Sequence, residues 1–439
     1  MPTEGLAPNV ITYNAALTSL ALSHELRASE RAVALLERMR SQGVAPNTTS
    51  YGRAMATCLK AEEWAQTLEL WRKMETAGVR PDLSTFHAAI RASGRRSEWR
   101  KALRLLDAME GRGVPPTSVS YAAAIIACAG VPRTDEALKL LKQMHERGVE
   151  PDVIVFNSAI AACDKGSRWQ QAIELLSEMA AVGCHPNEIS YSSAIAACAR
   201  GQQHERAIEL LEVMRVKGIE PGVIPFNAAI SACEKSGEWI PALTLLEDMQ
   251  QRGVKPNVIS YSAAISACEK GRQADCALDL LKEMQQLGLQ PNVITFNAAI
   301  SACEKGEPPR MQTALSLLDE MRKSSLQPNA VTYAAAIAAC GRGGMWEKAV
   351  KLQYQSDTEC GVDISCYNHT MQALVSAAQF DAGLALLDRL NASDCSNSES
   401  DAYTVHHILQ AACRQAGDLD MASKVQDLID RYGFKKIPP

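Results

Sequence analysis

Every 35 positions along this chain a small polar residue returns and changes identity as it does so: Asn157, Ser192, Asn227, Ser262, Asn297. Its surroundings barely change, so packing gives no reason for the alternation. Eight residues beyond that register, a cation recurs: Lys60, Arg95, Lys165, Arg200, Lys235, Lys270, Lys305 and Arg342. One cation per copy at a fixed register makes a stripe suited to a chain of phosphates. A lysine near a helix C-terminus also favours the macrodipole with no ligand at all, and that reading stays open. Neither set makes or breaks bonds. The chemistry on offer is reversible recognition, with hydrogen-bonding groups that vary beside a charge that does not.

The elements that position these residues follow from the repeat itself. Val223–Asn257 begins VIPFNAAISACEKSGEW, Val258–Asn292 begins VISYSAAISACEKGRQA, and Val293–Asn329 begins VITFNAAISACEKGEPP. A fixed period of this size means stacked supersecondary units. In Val258–Asn292, the residues Ile259, Ala263, Ala264, Ala267 and Cys268 recur near helical spacing, which predicts one amphipathic helix over roughly Ile259–Lys270. Gly271 is expected to stop it in a left-handed conformation. A second helix carries Ala277, Leu280, Leu281 and Met284 on one face and closes at Gly288. Pro291 then excludes further helix, and Asn292 can cap the helix of the next unit. One hairpin cannot bury its own apolar faces, so neighbours must stack.

Composition agrees with helix-on-helix packing. Apolar residues make up 47% of the chain and aromatics only 5%, which disfavours a β-rich core. Eight of the 14 cysteines, Cys58, Cys128, Cys163, Cys198, Cys233, Cys268, Cys303 and Cys340, share one register, and no CxxC pair occurs. They are expected to be free, buried thiols in a reducing compartment. Trp64, Trp99, Trp169, Trp239 and Trp346 share another register, at the start of the second helix, and are expected to pack between helices. No apolar run is long enough to cross a bilayer, so no membrane partner is expected. There is no P-loop, and His406-His407 and Cys360/Cys366 lack metal-ligand spacing, so no catalytic residue, metal or cofactor is expected. The formal charge of −5 says nothing of where the cations lie.

The unit resembles the pentatricopeptide repeat family. The resemblance rests on the aromatic-Asn/Ser start (Tyr13-Asn14, Phe156-Asn157, Tyr261-Ser262), on Glu304-Lys305-Gly306 at the first turn, on Leu-Leu-x-x-Met, and on a closing Gly-aliphatic-x-Pro-Asn/Asp. It implies an all-α, right-handed α-solenoid of stacked helix-turn-helix repeats. Residues 1–9 then form the tail of a truncated preceding repeat. Eleven repeats occupy 10–399, beginning at Val10, Thr48, Leu83, Ser118, Val153, Glu188, Val223, Val258, Val293, Ala330 and Ile364, and a degenerate repeat and tail fill 400–439. The polar stretch Asn391–Ser400 reads as a loose loop. A tetratricopeptide array, the nearest competing solenoid, is disfavoured because its Trp-Leu-Gly-Tyr framework is absent.

The resemblance also implies single-stranded RNA binding, one base per repeat, read by the fifth residue of a unit together with its last. Carried over, the pairs are Asn14 with Asn47, Asn157 with Asn187, Ser192 with Gly222, Asn227 with Asn257, Ser262 with Asn292, Asn297 with Asn329, and Ala334 with Asp363. An acceptor-only Asp suits the ring N–H of uracil or guanine, whereas the NH₂ of Asn suits the bare ring nitrogen of cytosine or adenine. A long fifth residue favours pyrimidines, and Ser or Ala leaves room for purines. Gly52 with Asp82 and His87 with Thr117 have no assignment. Asn or Asp at the end of a unit is also a good helix N-cap, and that alternative stays open.

Ile154, Ile189, Ile224, Ile259, Ile294 and Val331, each second in its unit, would wedge between bases; a buried helix-start aliphatic is the competing role. The cations listed above would hold phosphate. Relatives with zinc deaminase domains carry His-x-Glu and Cys-x-x-Cys ligands that this sequence lacks. The implied function is therefore non-catalytic RNA processing, stabilisation, splicing or translation in chloroplast or mitochondrion, by a monomer that acts on an organellar transcript and with protein processing partners. The organelle comes from the resemblance, since no transit peptide is present. The rival reading is a helical scaffold whose groove holds a peptide without RNA contact.

Overall fold

The computed structural model describes residues 8–23, 27–130, 133–392, 399–416 and 418–432. Among them are twenty-four α-helices and no strand, arranged as an all-α solenoid of helix hairpins. The hairpins fall into two compact bodies, Met1–Pro221 and Gly222–Pro439. In the second body the leading helices include Val223–Ser236, Val258–Lys270, Val293–Lys305, Ala330–Arg342 and Ile364–Ser376. Their trailing partners include Trp239–Gln251, Ala274–Gln286, Met311–Lys323 and Trp346–Glu359. Within each body a leading helix packs on its own trailing helix, on the trailing helix before it, and on the leading helices to either side.

The core follows the sequence period. In Val258–Lys270, Tyr261, Ala264, Ile265, Ala267 and Cys268 are fully buried, and in Ala274–Gln286 so are Ala277 and Met284. Each large apolar side chain removed from water in this way contributes about 1.5–3 kcal/mol. The eight register-matched cysteines are free and buried. Burial pushes their thiols up to about 11 or 12.

The helix starts are capped. Asn257 takes an extended backbone, and its Oδ1 accepts from the amides of Ile259 (2.9 Å) and Ser260 (3.1 Å), satisfying donors that the first turn otherwise leaves bare. The trailing helix ends at Gly288, whose φ of +75° lets Leu289 N–H return to the Met284 carbonyl. The leading helix ends differently from expectation. Gly271 is not left-handed, with φ −75°, and the left-handed residue is Arg272, φ +57°. Glycine is required there for another reason: a Cβ would lie 2.3 Å from Cδ1 of Trp239 in the preceding hairpin. Gly201 faces Trp169 in the same way, at 2.4 Å. The tryptophans thus fill the joint between consecutive repeats.

Of the stretch Asn391–Ser400, residues 393–398 lie outside the described residues; the helix before it runs to Ala392 and the next begins at Glu399. Residues 1–7 of the expected N-terminal tail, and 433–439 of the C-terminal one, also lie outside them.

Candidate nucleic-acid interface

The N-cap of a leading helix is the last residue of the preceding repeat, and in four repeats it meets the fifth residue of that same repeat. Asn227 Nδ2 donates to Asn257 Oδ1 at 3.3 Å. The same contact joins Asn14 to Asn47 (3.3 Å), Asn157 to Asn187 (3.4 Å) and Asn297 to Asn329 (3.2 Å). Capping decides which way the amide at the end of the unit points. The cap must accept, so its oxygen faces the helix and its Nδ2 turns outward as a donor. Capping and recognition are therefore compatible uses of one side chain, where sequence alone set them as alternatives.

The remaining pairs are built differently. Ser262 is buried, with its hydroxyl 2.6 Å from that of Thr295, while Asn292 Oδ1 accepts from Thr295 N–H at 3.0 Å. Ser192 turns its hydroxyl back to the Glu188 carbonyl at 2.6 Å. Gly222, the N-cap of Val223–Ser236, brings no side chain to its end of the unit. Ala334 carries no polar group, and Asp363 Oδ1 accepts from Cys366 N–H at 3.3 Å. Near the N-terminus, Gly52, Arg53, Asp82, His87 and Arg91 line a cleft of about 440 Å³. Burial, and then Arg91, lower the His87 pKa from its ordinary value, which favours the neutral ring.

The second residue of the leading helix is open to solvent in every predicted copy. Ile154, Ile189, Ile224, Ile259, Ile294 and Val331 are 60–69% exposed. Ile259 therefore does not belong to the buried face its spacing suggested, and burial is not what these aliphatics are for.

The cationic stripe is not bare. Arg200 pairs with Asp164 at 2.7 Å, Lys270 with Glu234 at 3.4 Å and Arg342 with Glu304 at 3.6 Å, and Lys305 pairs closely with Glu269. Each cation reaches back to the carboxylate that stands twelfth in the preceding repeat. Those carboxylates are well covered, with side chains between 12% and 24% exposed. Lys60 donates to the Ser23 carbonyl at 3.0 Å, and the Arg95 guanidinium lies 5.7 Å over the Trp64 ring. Lys165 and Lys235 are exposed. In four repeats the stripe expected from register is also one side of a ladder of ion pairs.

Four family models match the chain in turn. The pentacotripeptide-repeat region of PRORP matches residues 5–152, the PPR repeat family 151–200, the PPR repeat 189–219 and 224–254, and the pentatricopeptide repeat domain 244–305 and 310–343. The chain belongs to the pentatricopeptide repeat family. No curated protein matches it. Among solved structures, the pentatricopeptide repeat protein PPR10 from maize is 21% identical, with a TM-score of 0.46 over 99% of this chain and 75% of that one. PPR10 in complex with an 18-nt psaJ RNA element is 20% identical, with a TM-score of 0.43 over 99% and 76%. The PPR domain of Arabidopsis thaliana protein-only RNase P 1 in complex with tRNA is 17% identical, with a TM-score of 0.36 over 45% and 95%.

Within these pentatricopeptide repeats, sequence reasoning passed over three sets of residues. Ala122 and Asp152 occupy the fifth and last positions of the fourth repeat, and counting the register would have found them. The carboxylates Asp164, Glu234, Glu269 and Glu304 each precede a stripe cation by one residue and were in plain view. The third residue of the leading helix, Ser or Thr in most copies, carries a hydroxyl whose bonds only the structure reveals. Among the described residues no group of three or more His, Cys, Asp or Glu is placed to hold a metal ion, and no helix is long and apolar enough to cross a membrane.

Proposed function

We propose that this chain is a sequence-selective binder of single-stranded RNA that takes one base per repeat and acts without catalysis in organellar RNA metabolism. Family membership supports RNA as the ligand. The observation that carries the finer reading is the Asn227–Asn257 contact, in which Asn257 Oδ1 is taken up by the cap and by Asn227, so that its Nδ2 is the group left to donate to a base. Such a donor suits N3 of cytosine or N1 of adenine. An Asp in the same place spends one oxygen on its helix and offers the other, which suits the ring N–H of uracil or guanine. Asp82 and Asp363 already spend Oδ1 in this way.

The fifth residue sets size. Asn227 and Asn297 extend toward the cap of the next helix and favour a pyrimidine, while the short Ser262 leaves space for a purine. Exposed Ile224, Ile259 and Ile294 lie in the same first turns, ready to separate successive bases. Lysines one turn or more further along the helix neutralise phosphate. The protein acts sterically on a chloroplast or mitochondrial transcript, as a monomer that shields RNA from exonucleases, remodels a hairpin or guides processing partners.

Selection from a random RNA pool tests this. Repeats seven to nine should enrich C-A-C, read 5′ to 3′ from the N-terminal side. Recovery of all sequences in equal measure would overturn base reading and favour the peptide-holding scaffold.

A further inference from the structure

In the repeats read by two asparagines, the third residue of the next leading helix sits between the two readers. Ser260 is fully buried. Its Oγ accepts from the Asn257 backbone N–H at 3.0 Å, and lies 2.6 Å from Asn227 Oδ1 and 3.2 Å from Asn257 Oδ1. A hydroxyl has one proton, and the shorter contact takes it. The Asn227 oxygen is thereby held inward, and its NH₂ is left for Asn257 and for whatever lies outside. Ser50 stands 2.6 Å from Asn14 Oδ1, Ser190 2.6 Å from Asn157 Oδ1 and Thr332 2.6 Å from Asn297 Oδ1. His87 meets Ser120 at 2.8 Å in the same register.

Two repeats with alanine at the fifth position lack the hydroxyl, and so does the repeat after Ser192, where Pro225 stands and Ser192 turns to its own helix instead. Ala122 is followed at that register by Val155, and Ala334 by Cys366. After Gly52 the hydroxyl is present, but Thr85 turns to the Asp82 carbonyl at 2.9 Å. Asn368 supplies the complementary case: its register partner is Ala402, and its Oδ1 is buried with no hydrogen-bond partner among the described residues.

We infer that this hydroxyl is a positioning residue for base selection, one that fixes the amide of the preceding repeat's fifth residue. The inference rests on the RNA-reading function proposed above. It makes each two-asparagine reader a set of three side chains drawn from two repeats, and it says which repeats can be re-addressed by a single substitution. An Asn placed at Ser262 meets Thr295 and is held. An Asn placed at Ala122 meets Val155 and is not.

Two measurements on the full chain separate the possibilities. The first uses RNA-free protein: the Asn227 side-chain amide should exchange slowly with solvent in the wild type and in Ser260→Thr, and at least about tenfold faster in Ser260→Ala. Unchanged exchange overturns the inference whatever RNA does. The second is selection from a random pool. Ser260→Ala should lose a preference of about tenfold at the one base read by Asn227 and Asn257 and keep the others, with Ser260→Thr restoring it. A uniform loss of affinity with base preference intact would show the hydroxyl to be a capping element only. The constructive arm uses the fourth repeat: Ala122→Asn alone should leave no clean preference, and Ala122→Asn with Val155→Ser should select uracil. Equal behaviour of the two overturns the inference. If the wild type selects no base at all while the exchange result holds, the RNA-reading function fails and the hydroxyl remains a holder of the amide without a role in selection.

Discussion

A Cβ on Gly271 would fall 2.3 Å from Cδ1 of Trp239, which opens the trailing helix of the preceding repeat. With φ at −75°, Gly271 has a backbone that alanine adopts without strain, so an alanine there is opposed by Trp239, chiefly by its ring and at 3.1 Å by its Cβ. Gly271→Ala should destabilise the second body by about 1–3 kcal/mol, as overpacking does. Combining it with Trp239→Ala should cost less than the sum of the two changes, because each makes room for the other. Urea denaturation of the four chains checks this, and strict additivity would remove the contact as the cause.

The ladder of ion pairs changes what the cations are expected to do. Replacing Lys235, Lys270 and Lys305 by Ala should lower the slope of log affinity against log salt by roughly 2, at about 0.7 per phosphate contact. Glu234→Gln with Glu269→Gln should act the other way, because Lys270 and Lys305 lose their carboxylate partners. Affinity should rise for all RNA sequences alike and the salt slope should steepen. Titrations at several salt concentrations decide between this and lysines that serve only the helix.

Ser262→Asn should move the preference of the eighth repeat from adenine to cytosine or uracil, with discrimination of about 1–3 kcal/mol. The seventh and ninth repeats already hold Asn227 and Asn297 in the same setting, and Thr295 provides the hydroxyl. Folding should be nearly unaffected. Selected sequences from wild type and variant should differ at one base; identical pools would show that the fifth residue does not read.

Alkaline pH should unfold the chain through its buried thiols. Cys58, Cys163, Cys233 and Cys268 are raised from the ordinary 9.0 to about 12 by burial, so the native state keeps protons that the unfolded chain releases. The resulting stability is fully present below about pH 9 and is lost as pH rises toward 12. Buried Tyr261 and Tyr333 are raised too and add in the same direction. The urea midpoint should fall steadily above pH 9, and less steeply when Cys233 and Cys268 are replaced by Ala.

The fold class was legible because each repeat punctuates itself. Gly288 adopts the left-handed conformation just past the helix end, Pro291 keeps the linker out of helix, and Asn292 caps the next helix, all within five residues. Gly271 was misread because two different demands, a left-handed backbone and an absent Cβ, both select glycine. The second comes from Trp239, which belongs to the previous repeat. The ladder was hidden for a related reason. Glu269 and Lys270 are neighbours in sequence but lie on different faces of one helix, and the partner of Glu269 is Lys305, thirty-six residues on. The third-position hydroxyls also complete ordinary capping boxes, a use that a serine there has in any helix. Only the distance from Ser260 to Asn227 shows the other half of its bonding.

The exposed aliphatics have a thermal consequence. Ile224, Ile259, Ile294 and Val331 keep apolar surface in water at one position per repeat. Covering such surface lowers heat capacity. Occupation of the groove should therefore release less heat when cold and more when warm, with a slope that grows with each repeat engaged. Ion-pair exchange alone does not require that slope. A strand held only by its phosphates would leave the isoleucines wet and the binding enthalpy nearly flat with temperature.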